Sequence, residues 1–354
     1  MPIKKLKVLY IFAGERRKKE ELRKRGEYPD TEFWGMNHLK DFGIEAEYIE
    51  NKIINFIRKK SFNLFNLFYI FKIRKYDVVF LGGSLSLVFF AKVMLRFANP
   101  KIIFFNTYLT NLLKRNRKGI KAMTVRKAIK SIDAIICPSR AQKEFLIKEG
   151  FSGEKIYFVP AGIDVDFFDS SPETQNTNKE RFILSVGKDM GRDYKTLVEA
   201  VKNIDIKVKI VAFPRNVVGI DLPSNASIQV LPFIELLSLY RNCEFVVIPT
   251  KKQENIIGSD CSGHLVLLDA MAAGKAIIAS DRDTLKEYIA DGAEGLIVKP
   301  ENVGELRKAI QKLLDNPQMA QDMGRRVKEK ARRELTTKIF AQNLTRIFLE
   351  TAKQ

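Results

Sequence analysis

CSGHLVLLDAMAAGKAIIAS, residues 261–280, is the stretch from which the fold is read. It parses as a loop, a helix, a tight turn and a buried strand. Ser262 and the short residues before it suit a helix N-terminus. Val266, Leu267, Ala270 and Met271 recur at helical spacing. Gly274 supplies the left-handed residue that ends a helix. Residues 276–279 form a short apolar run, the pattern of a strand covered on both faces. Just upstream, FVVI at 245–248 reads as another buried strand, closed by Pro249. Strand, loop, helix and strand make a βαβ unit whose helix N-terminus presents free N–H groups to an anion. Asp269 falls less than two turns into that helix, within reach of a hydroxylated ligand.

The same alternation runs along most of the chain. Residues 7–13, 46–49, 78–82, 102–106, 134–138 and 156–159 read as strands, with helical patterns at 31–42, 85–97 and 141–150. The polar tract SSPETQNTNK, residues 170–179, has no apolar periodicity and reads as a linker. Strands then resume at 182–186, 208–213, 228–231, 245–248, 276–279 and 295–298, and the tail from Val303 is helical. The expectation is an α/β chain of two Rossmann-like domains in tandem with an interdomain cleft: 1–168, a linker at 169–180, and 181–337.

Composition narrows the function classes. At 354 residues two domains are the default, and a hydrophobic content of 45% is that of a globular protein. Three widely spaced cysteines read as reduced cytosolic thiols, and two histidines exclude a multi-histidine metal site. The opening MPIKKLKVLYIF is basic then apolar, but its run is too short for a signal sequence. The net charge of +19 is lopsided: residues 1–168 hold 33 Lys and Arg against 17 Asp and Glu, and residues 169–354 hold 28 against 25. Residues 51–132 carry 18 basic side chains and one acid, Asp77. So one-sided a field calls for an anionic partner.

Four segments together resemble the retaining glycosyltransferases of family 4, which have the GT-B fold. They are DAIICPSRAQKEFLIKEGFSGEKIYFVPAGIDVDFF at 133–168, SVGKDMGRDYKTLVEA at 185–200, the 261–280 stretch, and YIADGAEGLIVKPENVGELRKAI at 288–310. The resemblance implies a nucleotide-sugar donor bound mainly by the C-terminal domain and an acceptor bound mainly by the N-terminal domain. It also implies that the last helix, about 338–354, returns to the N-terminal domain.

The resemblance places Gly187, Lys188 and Arg192 on the donor diphosphate, in the loop after the 182–186 strand. Cations there offset the charge of two phosphates. The order of Lys188 and Arg192 is the reverse of the family's, and the alternative is an ordinary exposed loop. Ser262, Gly263, His264 and Leu265 offer backbone N–H groups to the same ligand. Asp269 takes the place of the acid that binds ribose hydroxyls, and the alternative is a surface carboxylate. Asp269, Lys188 and Arg192 thus stand as the residues that carry catalysis. Cys261 replaces a glutamate that contacts the transferred sugar, with Asp260 beside it. Gly14 ends the first strand, either as an approach to substrate or as a plain turn. The charged residues 15–30 that follow are either a solvated loop or an acceptor-binding one. Asn106 ends the fourth strand, where many relatives carry a histidine, and joins Gly14 and Cys261 as a candidate for the acceptor side. The resemblance implies no metal and no cofactor, because the nucleotide-sugar is a substrate and the departing diphosphate takes much of the catalytic load.

Residues 52–76, KIINFIRKKSFNLFNLFYIFKIRKY, interleave phenylalanines with cations. They read either as sheet cover or as an interfacial membrane contact through Arg58, Lys59, Lys60, Phe62 and Phe65. The resulting expectation is a cytoplasmic enzyme on the inner face of the membrane. It would move a sugar from a UDP- or GDP-linked donor to a lipid-linked or polysaccharide acceptor in envelope-glycan synthesis. A catalytically impaired nucleotide-sugar-binding subunit is the rival from another class, and a nucleotide-sugar 2-epimerase the rival enzyme. Nucleic-acid binding rests on charge alone, with no recognition module behind it.

Overall fold

The computed structural model describes residues 5–50, 69–170 and 180–353. Their strands form two six-stranded sheets, parallel throughout. The chain divides into two units, one around each sheet. The first comprises Met1–Arg25, Asp30–Gly162 and Thr337–Gln354, and the second Gly26–Pro29 and Ile163–Thr336.

In the first unit the strands are β1 (Lys7–Ile11), β2 (Glu45–Tyr48), β3 (Val78–Leu81), β4 (Lys101–Phe105), β5 (Ala134–Cys137) and β6 (Ile156–Phe158). Their order is β2-β1-β3-β4-β5-β6, with Val8 opposite Val78 and Val78 opposite Lys101. Residues two apart share a face, so each sheet face has its own core. Leu9, Ile11, Val79, Leu81 and Phe104 pack with Leu87, Ile129 and Leu146. Val8, Tyr10, Phe80, Ile103 and Phe105 pack with Leu39 and with Phe340, Leu344 and Phe348 of the helix Thr337–Ala352. Burial on both faces is why β3, β4 and β5 read as apolar runs without alternation.

The second unit holds β7 (Phe182–Val186), β8 (Lys207–Val211), β9 (Ala226–Gln229), β10 (Val246–Ile248), β11 (Ile277–Ser280) and β12 (Leu296–Val298), in the order β12-β11-β10-β7-β8-β9. The chain leaves β7 toward β8 and β9, then returns to its other side for β10. The β7/β10 boundary is therefore the switch point, where such sheets open to ligands at their carboxyl ends.

Several boundaries differ from the sequence reading. The division falls after Gly162 instead of Phe168, and Val165–Ser170 is a helix of the second unit in which Asp169 pairs with Lys328 and Arg332. Residues 171–179, the bulk of the expected linker, lie outside the described residues. The helix expected at 31–42 is two 3₁₀ segments, Asp30–Phe33 and Met36–Phe42, because Trp34 and Gly35 take positive φ and stop the turn. The charged residues after Gly14 contain a helix, Arg17–Lys24, that buries none of its side chains. It is supported by the pairs Arg17–Glu21 and Glu20–Lys24, four residues apart, and lacks the apolar period by which helices are recognised. Of the 52–76 stretch, residues 52–68 lie outside the described residues, and with them Arg58, Lys59, Lys60, Phe62 and Phe65. Its end is split: Tyr69, Ile70 and Ile73 enter the core, whereas Phe71 is exposed.

Candidate functional site

Three loops meet at the carboxyl ends of the adjacent strands β7, β10 and β11. The first, after β7, is built around Asp189. One carboxylate oxygen accepts the Gly191 N–H at 2.8 Å, and the other accepts the Ser259 N–H at 3.0 Å, which ties the loop to the one after β10. Arg192 pairs through its backbone with Thr250, and Asp193 caps the next helix, Tyr194–Val201, by accepting from the Thr196 N–H. The Arg192 side chain is thereby turned inward, 5% exposed, and its Nε and Nη1 have no hydrogen-bond partner among the described residues. It lies flat on Gly187, where a Cβ would stand 2.1 Å from Nε, and beside Gly263, where a Cβ would stand 3.1 Å from Nη1. Gly263 has φ of 95° and immediately precedes the helix His264–Ala272. Glycine at both positions gives a guanidinium group room against the backbone at a helix N-terminus.

The loop after β11 brings a second buried arginine. Arg282 is 4% exposed, its Nη2 donates to the Asp260 carbonyl at 3.3 Å, and its Nε and Nη1 likewise have no hydrogen-bond partner among the described residues. Burial pushes both guanidinium groups down from their ordinary pKa, and for Arg282 the nearby Arg192 charge acts in the same direction. Asp189 offsets part of the cost of that burial for both, and Asp260 for Arg282, but burial outweighs them. Ser262 Oγ is also buried without a partner among the described residues.

Within the helix His264–Ala272 every residue except Leu265 is buried. Asp269 is among the buried ones, so it is not a surface carboxylate. The hydroxyl of Tyr240 is buried without a hydrogen-bond partner among the described residues, and its pKa is raised by burial and by the Asp269 charge. His264 stacks edge-on against Tyr288 with ring centroids 4.4 Å apart, and burial lowers its pKa to about 4. Near neutral pH it is an uncharged imidazole. Cys261 is partly exposed and forms no disulfide.

Lys188 does not join Arg192 inside. It is exposed, with Nζ 4.8 Å from the centre of the Phe213 ring. In the first unit, Gly14 lies at the end of β1 beside the Arg16 side chain, which is buried over the Phe12 ring. Asn106 is fully buried: its Oδ1 accepts the Leu109 N–H at 2.9 Å and its Nδ2 faces Cys137 Sγ at 3.6 Å. These contacts let Asn106 hold the start of the helix Leu109–Arg115. Among the described residues no three His, Cys, Asp or Glu side chains converge as a metal site.

Sequence reasoning missed Asp189, Tyr240 and Arg282. Arg282 left a usable signal, because it stands two residues past the end of a parallel strand, where ligands bind. Tyr240 left none, since its helix looks like any amphipathic one.

Two parallel α/β units joined in one chain, the second with cations, a helix N-terminus and a buried carboxylate at its switch point, are Rossmann-like domains in tandem. The family model for Glycosyltransferase Family 4 matches residues 20–167, and that for Glycosyl transferases group 1 matches residues 166–330. The chain belongs to these GT-B glycosyltransferases and is a transferase enzyme. An uncharacterised glycosyltransferase of Methanocaldococcus jannaschii is 24% identical over 334 residues, covering 86% of this chain and 80% of that protein. Among solved structures, sucrose-phosphate synthase of Thermosynechococcus elongatus superposes with a TM-score of 0.74 at 16% identity, covering 98% of this chain and 99% of the other. HepE of Anabaena, in complex with UDP and glucose, superposes with a TM-score of 0.72 at 13% identity, covering 98% and 100%. At these identities the structural likeness is one of fold.

Proposed function

We propose that this glycosyltransferase moves a sugar, with retention, from a UDP- or GDP-linked donor held by the second unit to a lipid-linked or polysaccharide acceptor held by the first. The reading places it in envelope-glycan synthesis on the inner face of the membrane. The observation that carries the donor part is the pair of buried guanidinium groups, Arg192 and Arg282, whose Nε and Nη1 have no hydrogen-bond partner among the described residues. A diphosphate supplies the acceptor oxygens those atoms lack and further negative charge. The UDP found in the HepE complex supports that choice of ligand.

In the reaction, the bond from the sugar's anomeric carbon to the diphosphate oxygen breaks, and the diphosphate leaves with the electron pair. The acceptor oxygen bonds to the same face of that carbon, and its proton passes to the leaving phosphate. Arg192, Arg282 and the N–H groups at the start of the helix His264–Ala272 stabilise the departing charge. Asp269 binds the ribose hydroxyls, and exposed Lys188 attracts the donor at longer range. Because arginines provide the positive charge, turnover is expected to persist in a chelator, with no metal or other cofactor added. Leading membrane contact is assigned to residues 52–76, with Arg58, Lys59, Lys60, Phe62 and Phe65.

The test is thermal shift against a panel of nucleotide-sugars, since a ligand of the folded state raises its apparent stability. Stabilisation by one UDP- or GDP-sugar is the expected result, and none across the panel would remove the reading. Asp269→Asn should weaken UDP and UDP-sugar alike, by about 1–2 kcal/mol. Loss confined to the sugar nucleotide would take the ribose role away. Cys261 sustains a second reading, a subunit that binds donor without turning it over, because a thiol is a poor partner for a sugar hydroxyl. Donor binding with no release of nucleoside diphosphate in the presence of acceptor would decide for it.

A further inference from the structure

The helix Gly119–Lys130 exposes large apolar side chains: Ile120 is 84% exposed and Met123 72%. Ile120, Met123, Lys127 and Lys130 follow the i, i+3, i+7, i+10 spacing of one helix face, and all four are exposed. Packed against this helix is the π-helical turn Phe89–Met94, whose Phe90 and Met94 are exposed, as is Leu95 just after it. Met94 is 60% exposed. None of the described residues covers either face, although the opposite sides carry Ala91, Ala122, Ala128 and Ile129 into the core. The charge around this surface has one sign. Residues 78–132 contain 11 Lys and Arg and no Asp or Glu.

Exposed apolar groups and one-sided positive charge have a common explanation only in certain partners. A nucleic acid would use the cations and leave Ile120, Met123 and Met94 in water. An anionic lipid surface uses both, because its headgroups attract the lysines and its acyl boundary accepts the apolar side chains. We propose that the paired faces of residues 89–95 and 119–130 dock this glycosyltransferase on anionic lipid. The proposal rests on the membrane-side reading above and extends the contact beyond residues 52–76.

The test is cosedimentation with vesicles of phosphatidylglycerol and phosphatidylcholine, against phosphatidylcholine alone, at low and high salt. The Debye length of about 10 Å at 0.1 M makes the lysine contribution salt-sensitive. Wild type is expected to prefer the anionic vesicles, and Ile120→Ser with Met123→Ser to lower the partition coefficient about tenfold or more at either salt. Lys121→Gln, Lys127→Gln and Lys130→Gln together should erase the preference for anionic lipid. UDP affinity and melting temperature should stay at the wild-type values, since all five side chains are exposed. Wild-type partitioning of the Ile120/Met123 variant would overturn the proposal. If Arg58→Ser, Lys59→Ser and Lys60→Ser abolish binding while both helix variants bind normally, the helix faces lose the assignment and the membrane reading survives. If wild type ignores anionic lipid, both fall, and the donor reading is left to its nucleotide assays. Duplex or single-stranded nucleic acid that binds wild type and is lost with Ile120→Ser and Met123→Ser would reassign the surface and overturn lipid docking.

Discussion

The two sheets are both six-stranded and parallel, each with one switch point, and they differ in strand order and at their carboxyl ends. In the first unit the β1/β3 switch point is filled by the protein itself. The Trp34 ring lies over Gly82, where a Cβ would stand 2.7 Å away, and packs at 5.1 Å from Phe12 and 5.4 Å from Phe105. Asn106 and Thr107 spend their side chains on neighbouring turns. At the β7/β10 switch point of the second unit, Arg192, Arg282, Ser262 and His264 keep buried polar atoms with no partner among the described residues. One end is closed by aromatic packing and the other is polar and unsatisfied. Topology marks where a ligand can bind, and unmet hydrogen bonds make the second unit's end the stronger candidate.

Breaking the comparison from the packed side gives the largest effect. Phe348 is fully buried against Tyr10 and Phe80. Phe348→Ala should cost about 3–5 kcal/mol of stability in denaturant unfolding. UDP affinity of the remaining folded protein should hold, and a parallel loss would mean that the two units are energetically inseparable.

On the polar side the expected pattern is reversed. Arg192→Met and Arg282→Met should each lower UDP affinity by about 1.5–3 kcal/mol, measured calorimetrically. Without nucleotide, each variant should melt close to wild type, because burial outweighs the nearby carboxylates and an apolar group of similar reach replaces the charge. Strong destabilisation with unchanged affinity would make the arginines structural.

A smaller effect comes from His264. Its pKa of about 4 in the folded protein lies below the ordinary 6.5. As pH falls, the unfolded chain takes a proton before the folded one does. The stability contribution is whole above about pH 6.5 and drains away toward pH 4, at up to about 1.4 kcal/mol per pH unit. His264→Phe should flatten that part of the stability–pH curve. An unchanged slope would place the acid sensitivity elsewhere.

The smallest effect is expected at Lys188. Exposed over Phe213, it should contribute less than about 1 kcal/mol to UDP binding, and that contribution should fade with salt. A loss in Lys188→Ala equal to that in Arg192→Met would show that Lys188 moves onto the ligand.

All twelve strands were legible in the sequence, most to within a residue or two; in the central ones burial on both faces forces continuous apolar runs such as VVFL and FILSV, whereas edge strands such as EAEY have no buried residue. So was the helix His264–Ala272 with Asp269 inside it, since apolar spacing is a local signal, although Gly263 stands at the N-cap and Ser262 does not cap it. The helix Arg17–Lys24 was hidden because ion pairs hold it and no apolar stripe does. What only the tertiary structure decided is which polar side chains lie together. Lys188 and Arg192 are four residues apart, yet one faces solvent and the other is buried on Gly187, because Asp189 and the Arg192–Thr250 pairing turn the loop between them. Arg282 is 90 positions from Arg192 and shares its surroundings because β11 lies beside β10, which lies beside β7. Strand identity is written in short-range periodicity. The partners of a buried charge depend on strand order and on the conformations of three loops, and no local pattern of residues encodes those.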